Sequence, residues 1–167
     1  FKNCSQLLTF AFGESDTPVS FGNGVFSGCS VLKTIRLPKT LSAFDGSVFN
    51  DCLSLQSIEV DAANPNLQSK DGVLYVKGLT EILYYPKNLD GDLTKLPWDK
   101  LQKIGAAVFK NNQRITTVKI GANIVEIGEG AFYGCTALTS VSYDTANKKP
   151  LTVGAQAFYD CTKLKTA

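Results

Sequence analysis

The sequence predicts a solenoid, a β-rich α/β coil repeated along the chain, with a parallel sheet on one wall and short 3₁₀ or helical turns on the other. Three observations carry that prediction. A Phe-x-x-Cys-x-x-Leu order recurs in "FKNCSQL" from Phe1, "FSGCSVL" from Phe26, "FNDCLSL" from Phe49, "FYGCTAL" from Phe132 and "FYDCTKL" from Phe158, and "FKNNQRI" from Phe109 repeats it with Asn112 in the Cys slot. Successive motif Phe residues lie 25, 23, 60, 23 and 26 residues apart, so the period is about 23 residues with one long interruption, and a fixed period in that range marks stacked coils. After each Cys, apolar residues fall at alternate positions, which is the period of a strand.

Each part of the coil has a physical reading. "FGNGVF" (21–26), "FDGSVF" (44–49), "IGAAVF" (104–109), "IGEGAF" (127–132) and "VGAQAF" (153–158) place Gly or Asp-Gly at a turn, then a small residue and Phe. Such segments are too short for a full helix, so one or two turns of 3₁₀ or α geometry with Phe anchored inward are expected. "LKTIRLP" (32–38), "LQSIEV" (55–60), "ITTVKI" (115–120) and "LTSVSY" (138–143) read as strands. Their alternation sends Ile35, Leu37, Ile58, Val60, Val118, Ile120, Val141 and Tyr143 inward. It sends Thr34, Arg36, Ser57, Glu59, Thr117, Lys119, Ser140 and Ser142 to solvent.

One coil cannot cover its own apolar face, so coils stack with strands about 4.8 Å apart. Stacking then places Cys4, Cys29, Cys52, Asn112, Cys135 and Cys161 in one interior column, where a small, weakly polar side chain fills a tight corner. A thiol or amide there can also bond backbone groups that the turn leaves unpaired.

Residues 61–98 are read as an irregular insertion or degenerate coil. "GVLYVK" and "TEILYYP" are two β-rich runs separated by Gly78 and Leu79, consistent with a hairpin or with two successive strands. Aligning Pro86 with Pro38 turns Leu83 and Tyr85 inward and leaves Ile82 and Tyr84 outside. Ile82, Tyr84 and Trp98 are then contact candidates beside the polar outward residues, because aromatic side chains anchor interfaces. The alternative is that Trp98 and the tyrosines pack the irregular coil.

The repeat closely resembles the BspA-type leucine-rich repeats, whose core reads I-G-x-x-A-F-x-x-C-x-x-L-x-x-I; the resemblance covers residues 1–60 and 99–167. "NPNLQSKDGVLYVKG" (64–78) and "EILYYP" (81–86) look like an insert seen inside such arrays. Phe21 and Phe44 replace the usual Ile, Asn112 replaces Cys, and "KNLDGDLTKLPW" (87–98) matches no repeat element. The resemblance implies one leucine-rich-repeat solenoid over residues 1–167, on a cell-surface or secreted protein of host-associated bacteria or protozoa. It implies adhesion to a host or neighbouring-cell surface or matrix protein.

Composition narrows the chemistry. Seventeen Lys plus Arg against fifteen Asp plus Glu give a net charge of +2 with no basic block, which argues against nucleic acid. No window approaches the roughly 18 apolar residues of a membrane-spanning helix, so no membrane insertion is expected. The lack of Met and the motif cut at either end suggest a piece of a longer protein, with exposed sheet edges prone to end-to-end association.

With no His, the commonest general base is missing, and neither a G-x-S-x-G nor a phosphate-binding loop occurs, so no enzyme is predicted. Five Cys cannot all pair, and stacked thiols run parallel instead of converging, so free buried thiols are expected. A single column cannot supply a tetrahedral zinc site, and "LDGD" (89–92) reads as a solvated turn and not a calcium loop; no metal or cofactor is predicted. "NCS" (3–5) fits a glycosylation pattern by chance. The leading expectation is a non-catalytic protein-binding surface; the alternatives are a structural spacer and an accessory carbohydrate-binding surface.

Overall fold

The computed structural model describes residues 1–14, 16–146 and 149–166. The chain divides into two compact units, Phe1–Gly78 with Tyr85–Leu89, and Leu79–Tyr84 with Asp90–Ala167.

In the first unit, β1 (Thr9–Ala11), β2 (Thr34–Leu37) and β3 (Ser57–Val60) form a parallel sheet in which Phe10, Ile35 and Ile58 stand in register. Thr34 pairs with Ser57 and Arg36 with Glu59, so the outward residues line up as the alternation requires. A 3₁₀ turn, Gly46–Phe49, buries Val48 and Phe49; Asp45 caps it by accepting from the Ser47 N–H at 2.7 Å. After β3 comes an antiparallel hairpin of β4 (Leu67–Lys70) and β5 (Val73–Val76). Its two-residue turn is Asp71-Gly72, both at positive φ, which matches the twist of the strands it joins. Asn64 anchors the hairpin from a buried site: its amide donates to the carbonyls of Pro38 and Leu41, and its Oδ1 accepts from the N–H groups of Asn66 and Leu67.

In the second unit each coil contributes to two parallel ladders. β8 (Thr117–Ile120) pairs with β10 (Ser140–Tyr143), matching Thr117 to Ser140 and Lys119 to Ser142. β6 (Glu81–Tyr84), β7 (Lys103–Ile104), β9 (Glu126–Ile127) and β11 (Thr152–Val153) form the other ladder, with Ile82, Ile104, Ile127 and Val153 in one row. Beside that row Lys103 lies 3.7 Å from Glu81 and 3.2 Å from Glu126.

The turns explain a sequence column that the periodicity alone passes over. The residue two after each motif Phe is left-handed in every coil: Asn3, Gly28, Asp51, Asn111, Gly134 and Asp160. Those are the three residue types that enter this region at least cost. The motif Phe rings then stack, Phe109 on Phe132 at 4.7 Å and Phe132 on Phe158 at 5.1 Å between centroids.

Within each unit the stacked thiols are interior: Cys29 and Cys52 in the first and Cys135 and Cys161 in the second are buried free thiols. Each Sγ donates to the carbonyl of the motif Phe one coil earlier, namely Phe1, Phe26, Phe109 and Phe132, at 3.0–3.1 Å. Asn112 takes the same slot and its Oδ1 accepts from the N–H groups of Arg114 and Ile115, holding the lead into β8. Burial pushes the Cys52 thiol up to about 12 and also raises Cys29 and Cys161. Thiolate-specific labelling of the native protein near pH 8 is therefore expected to modify Cys4 fast and the other four slowly, all five reacting together in denaturant; rapid native labelling of Cys52 would contradict this arrangement.

Four expectations need correction. Cys4 is exposed and does not share the burial of the other four thiols. Tyr143 keeps 40% of its surface exposed, since among the described residues the next coil reaches β10 through the Ser140–Thr166 bridge. Ile82 and Tyr84 are buried, not outward. The alignment of Pro86 with Pro38 put "EILYYP" on the wrong wall; β6 belongs to the Ile-Gly ladder, and a one-residue shift of register exchanges the two faces of a strand.

Candidate ligand-binding groove

The second unit carries a groove of about 690 Å³ over the outward face of β8 and β10. Its floor holds four of the outward residues in two cross-strand pairs, Thr117 with Ser140 and Lys119 with Ser142. Its wall is the segment 90–98, the stretch that matches no repeat element.

That wall is built by local capping. Asp90 accepts from the Asp92 N–H at 3.0 Å, and Asp92 accepts from the Thr94 N–H at 3.1 Å and its hydroxyl at 2.6 Å, starting the 3₁₀ turn Leu93–Lys95. Lys95 ion-pairs with Asp90 and lies 3.8 Å from Asp92. Trp98 closes the wall, half-buried, its Nε1 donating to the Leu93 carbonyl at 2.8 Å.

Two glycines allow the segment to lie this close. A Cβ on Gly91, which sits at φ +80, would come 2.7 Å from the Arg114 carbonyl oxygen, and one on Gly121 would come 3.0 Å from the Cβ of Trp98. Backbone therefore passes backbone at Gly91, Trp98 packs against Gly121, and Trp98 lines the groove.

The charges are largely paired within the protein. Lys119 lies 3.5 Å from Asp144. The Asp144 carboxyl is held below the usual range by the Ala146 N–H and then by Lys119, and Asp92 by the Thr94 hydroxyl and N–H. Both stay ionised at neutral pH, which suits hydrogen-bond acceptance and not proton donation to a reacting group.

Five of the sequence candidates, Thr117, Lys119, Ser140, Ser142 and Trp98, thus meet in one groove. Thr34, Arg36, Ser57 and Glu59 sit on the sheet of the first unit, where Arg36 lies 3.6 Å from Asp61. Ile82 and Tyr84 belong to the core. Sequence reasoning missed Arg114, Asp144 and the two glycines; the signal for the wall was a non-repeating segment with a lone Trp.

Among the described residues no helix is long and apolar enough to cross a membrane, and no cluster of three or more His, Cys, Asp or Glu residues could hold a metal ion. No curated protein matches the chain.

Among solved structures it is similar to a leucine-rich repeat protein from Eubacterium ventriosum, at 22% identity and TM-score 0.69 over 96% of this chain and 54% of that one. It is also similar to the pneumococcal vaccine antigen PcpA, at 25% identity and TM-score 0.61 over 69% of this chain and 28% of that one. The chain thus spans about half or less of the length of these proteins. The BspA type leucine rich repeat region matches it in six copies, over residues 1–90 and 83–167, and the chain belongs to this family.

Proposed function

We propose that the chain is a non-catalytic recognition module of a cell-surface or secreted protein, using the groove over β8 and β10 to hold a macromolecule of another cell or its matrix. The convergence of Trp98 with four outward side chains on one concavity carries this reading. A solenoid keeps its inward residues constant and is free to vary its outward ones, so recognition belongs on the varied face. Volume agrees with recognition, being within the roughly 300–1,000 Å³ of small-ligand sites. The likeness to a vaccine antigen supports a place at the cell surface. Against catalysis stand the lack of His and the carboxylates held ionised.

The test is binding of the labelled protein to intact epithelial cells. Filling the groove with Ser142→Phe is expected to reduce binding at least about tenfold, the scale of losing one interface anchor. Lys110→Ala, over the Tyr133 ring on the turn side, should leave it unchanged. A spacer would bind no differently with either change, and that result would reject the proposal.

A further inference from the structure

Resting on that reading, we infer that the groove takes a neutral oligosaccharide, one or more hexose or N-acetylhexosamine rings, carried by the glycans of the partner surface. Three features of the groove point to this class together.

The first is charge. Asp90, Asp92 and Asp144 are countered by Lys95, Arg114 and Lys119 in and beside the groove, three against three, with ion pairs between Lys95 and Asp90 and between Lys119 and Asp144. A site for an anion or a charged peptide would present an excess of one sign, since steering and specificity for charge need it. This one offers a field close to balanced.

The second is Trp98. Its N–H is already spent on the Leu93 carbonyl, so what it presents to a ligand is ring surface and not a donor. A pyranose ring has a face of C–H groups that packs on an indole and a rim of hydroxyls that needs partners. Those partners are here: the hydroxyls of Thr117, Ser140 and Ser142, with the ammonium of Lys119 and the carboxylate of Asp144, border the same space. Hydroxyl, ammonium and carboxylate together supply both donors and acceptors, as a polyol demands.

The third is the floor. It is the face of a sheet, which offers side chains, while any row of main-chain groups lies along an edge. An extended peptide that binds by adding a strand needs such a row. The groove also has room beyond one ring, so a chain of sugars fits it better than a free monosaccharide.

The protein contains one Trp, and it lies in the wall of the groove, so the native chain carries its own reporter. Fluorescence excited at the indole is followed while a panel of neutral di- to tetrasaccharides of hexose and N-acetylhexosamine units, with anionic (uronic acid or sulfated) counterparts alongside, is added up to about 10 mM, a range that covers weak sites. A saturable change in Trp98 emission with at least one member is expected, lost in Ser142→Phe with the fold intact by circular dichroism. No change with any member, or a change with anionic saccharides alone, overturns the inference.

The cell assay separates its failure from that of the functional reading. If Ser142→Phe abolishes cell binding but enzymatic removal of surface glycans does not, the groove binds a polypeptide and the saccharide class is wrong. If Ser142→Phe leaves cell binding intact, the recognition reading fails first.

Discussion

Phe132→Ala is expected to destabilise the second unit by about 3–5 kcal/mol, the range for deleting a fully buried aromatic ring. Phe132 is completely buried and lies between two parallel rings, at 4.7 Å from Phe109 and 5.1 Å from Phe158. Its removal opens a void in the middle of a stack, and each lost ring pair adds about 0.5–1.5 kcal/mol beyond area. Collapse is resisted because the backbone on both sides is pinned: the Phe132 N–H donates to the Ala157 carbonyl at 2.7 Å, and the Phe132 carbonyl accepts the Cys161 thiol at 3.1 Å. Thermal unfolding followed by circular dichroism should show a midpoint lowered by about 6–20 °C, at roughly 2–4 °C per kcal/mol for a chain of this size. Phe158→Ala should cost less, since Phe158 is only partly buried. A loss below about 1 kcal/mol at Phe132 would mean that the stack is not the core of the coil.

Gly128→Val is expected to be as damaging by the opposite route. The Ile-Gly ladder brings Gly105, Gly128 and Gly154 against the preceding coil, with the Gly128 N–H on the Ile104 carbonyl at 2.8 Å and the Gly154 N–H on Ile127 at 2.7 Å. A Cβ on Gly128 would stand 2.6 Å from the Ala106 nitrogen and 2.7 Å from the Gly105 carbonyl carbon, and these are backbone atoms that cannot swing aside. Even Ala must push the coils apart, at about 1–3 kcal/mol for overpacking, and Val at more. Gly130→Ala separates this steric cause from conformational strain. Gly130 has φ +58 but open space, its nearest neighbour being 3.7 Å from the added carbon, so about 1 kcal/mol is expected there. Equal losses at 128 and 130 in urea unfolding would refute close approach as the reason for the Ile-Gly glycine.

That glycine shows how far the residues could be read in isolation. "IGEGAF" suggested a turn at its Gly, and the left-handed turn residue is Gly130, while Gly128 is needed for the space between neighbouring coils. Both look alike in a sequence, because absence of a side chain records that something is near without saying what. The hairpin turn at Asp71-Gly72 was not read from the sequence, because the strand before it, "LQSK", is mostly polar and lacks a strand's apolar alternation. "EILYYP" failed for the converse reason: hydrophobic at four successive positions, 82–85, it has no alternation to say which face is inside, and the register of Ile82 with Ile104 decides it.

The recurring Phe, Cys, Leu and Ile settle the coil, its period, the family and the outward set Thr117, Lys119, Ser140 and Ser142, since every coil meets the same packing demand and repeats the same answer. The groove is another matter. Arg114, Asp144 and Trp98 share a space because residues 90–98 fold back over β8 and β10 through a capped turn and two bare glycines. A stretch that occurs once has no second copy to be compared with, so its contacts are written in tertiary geometry alone.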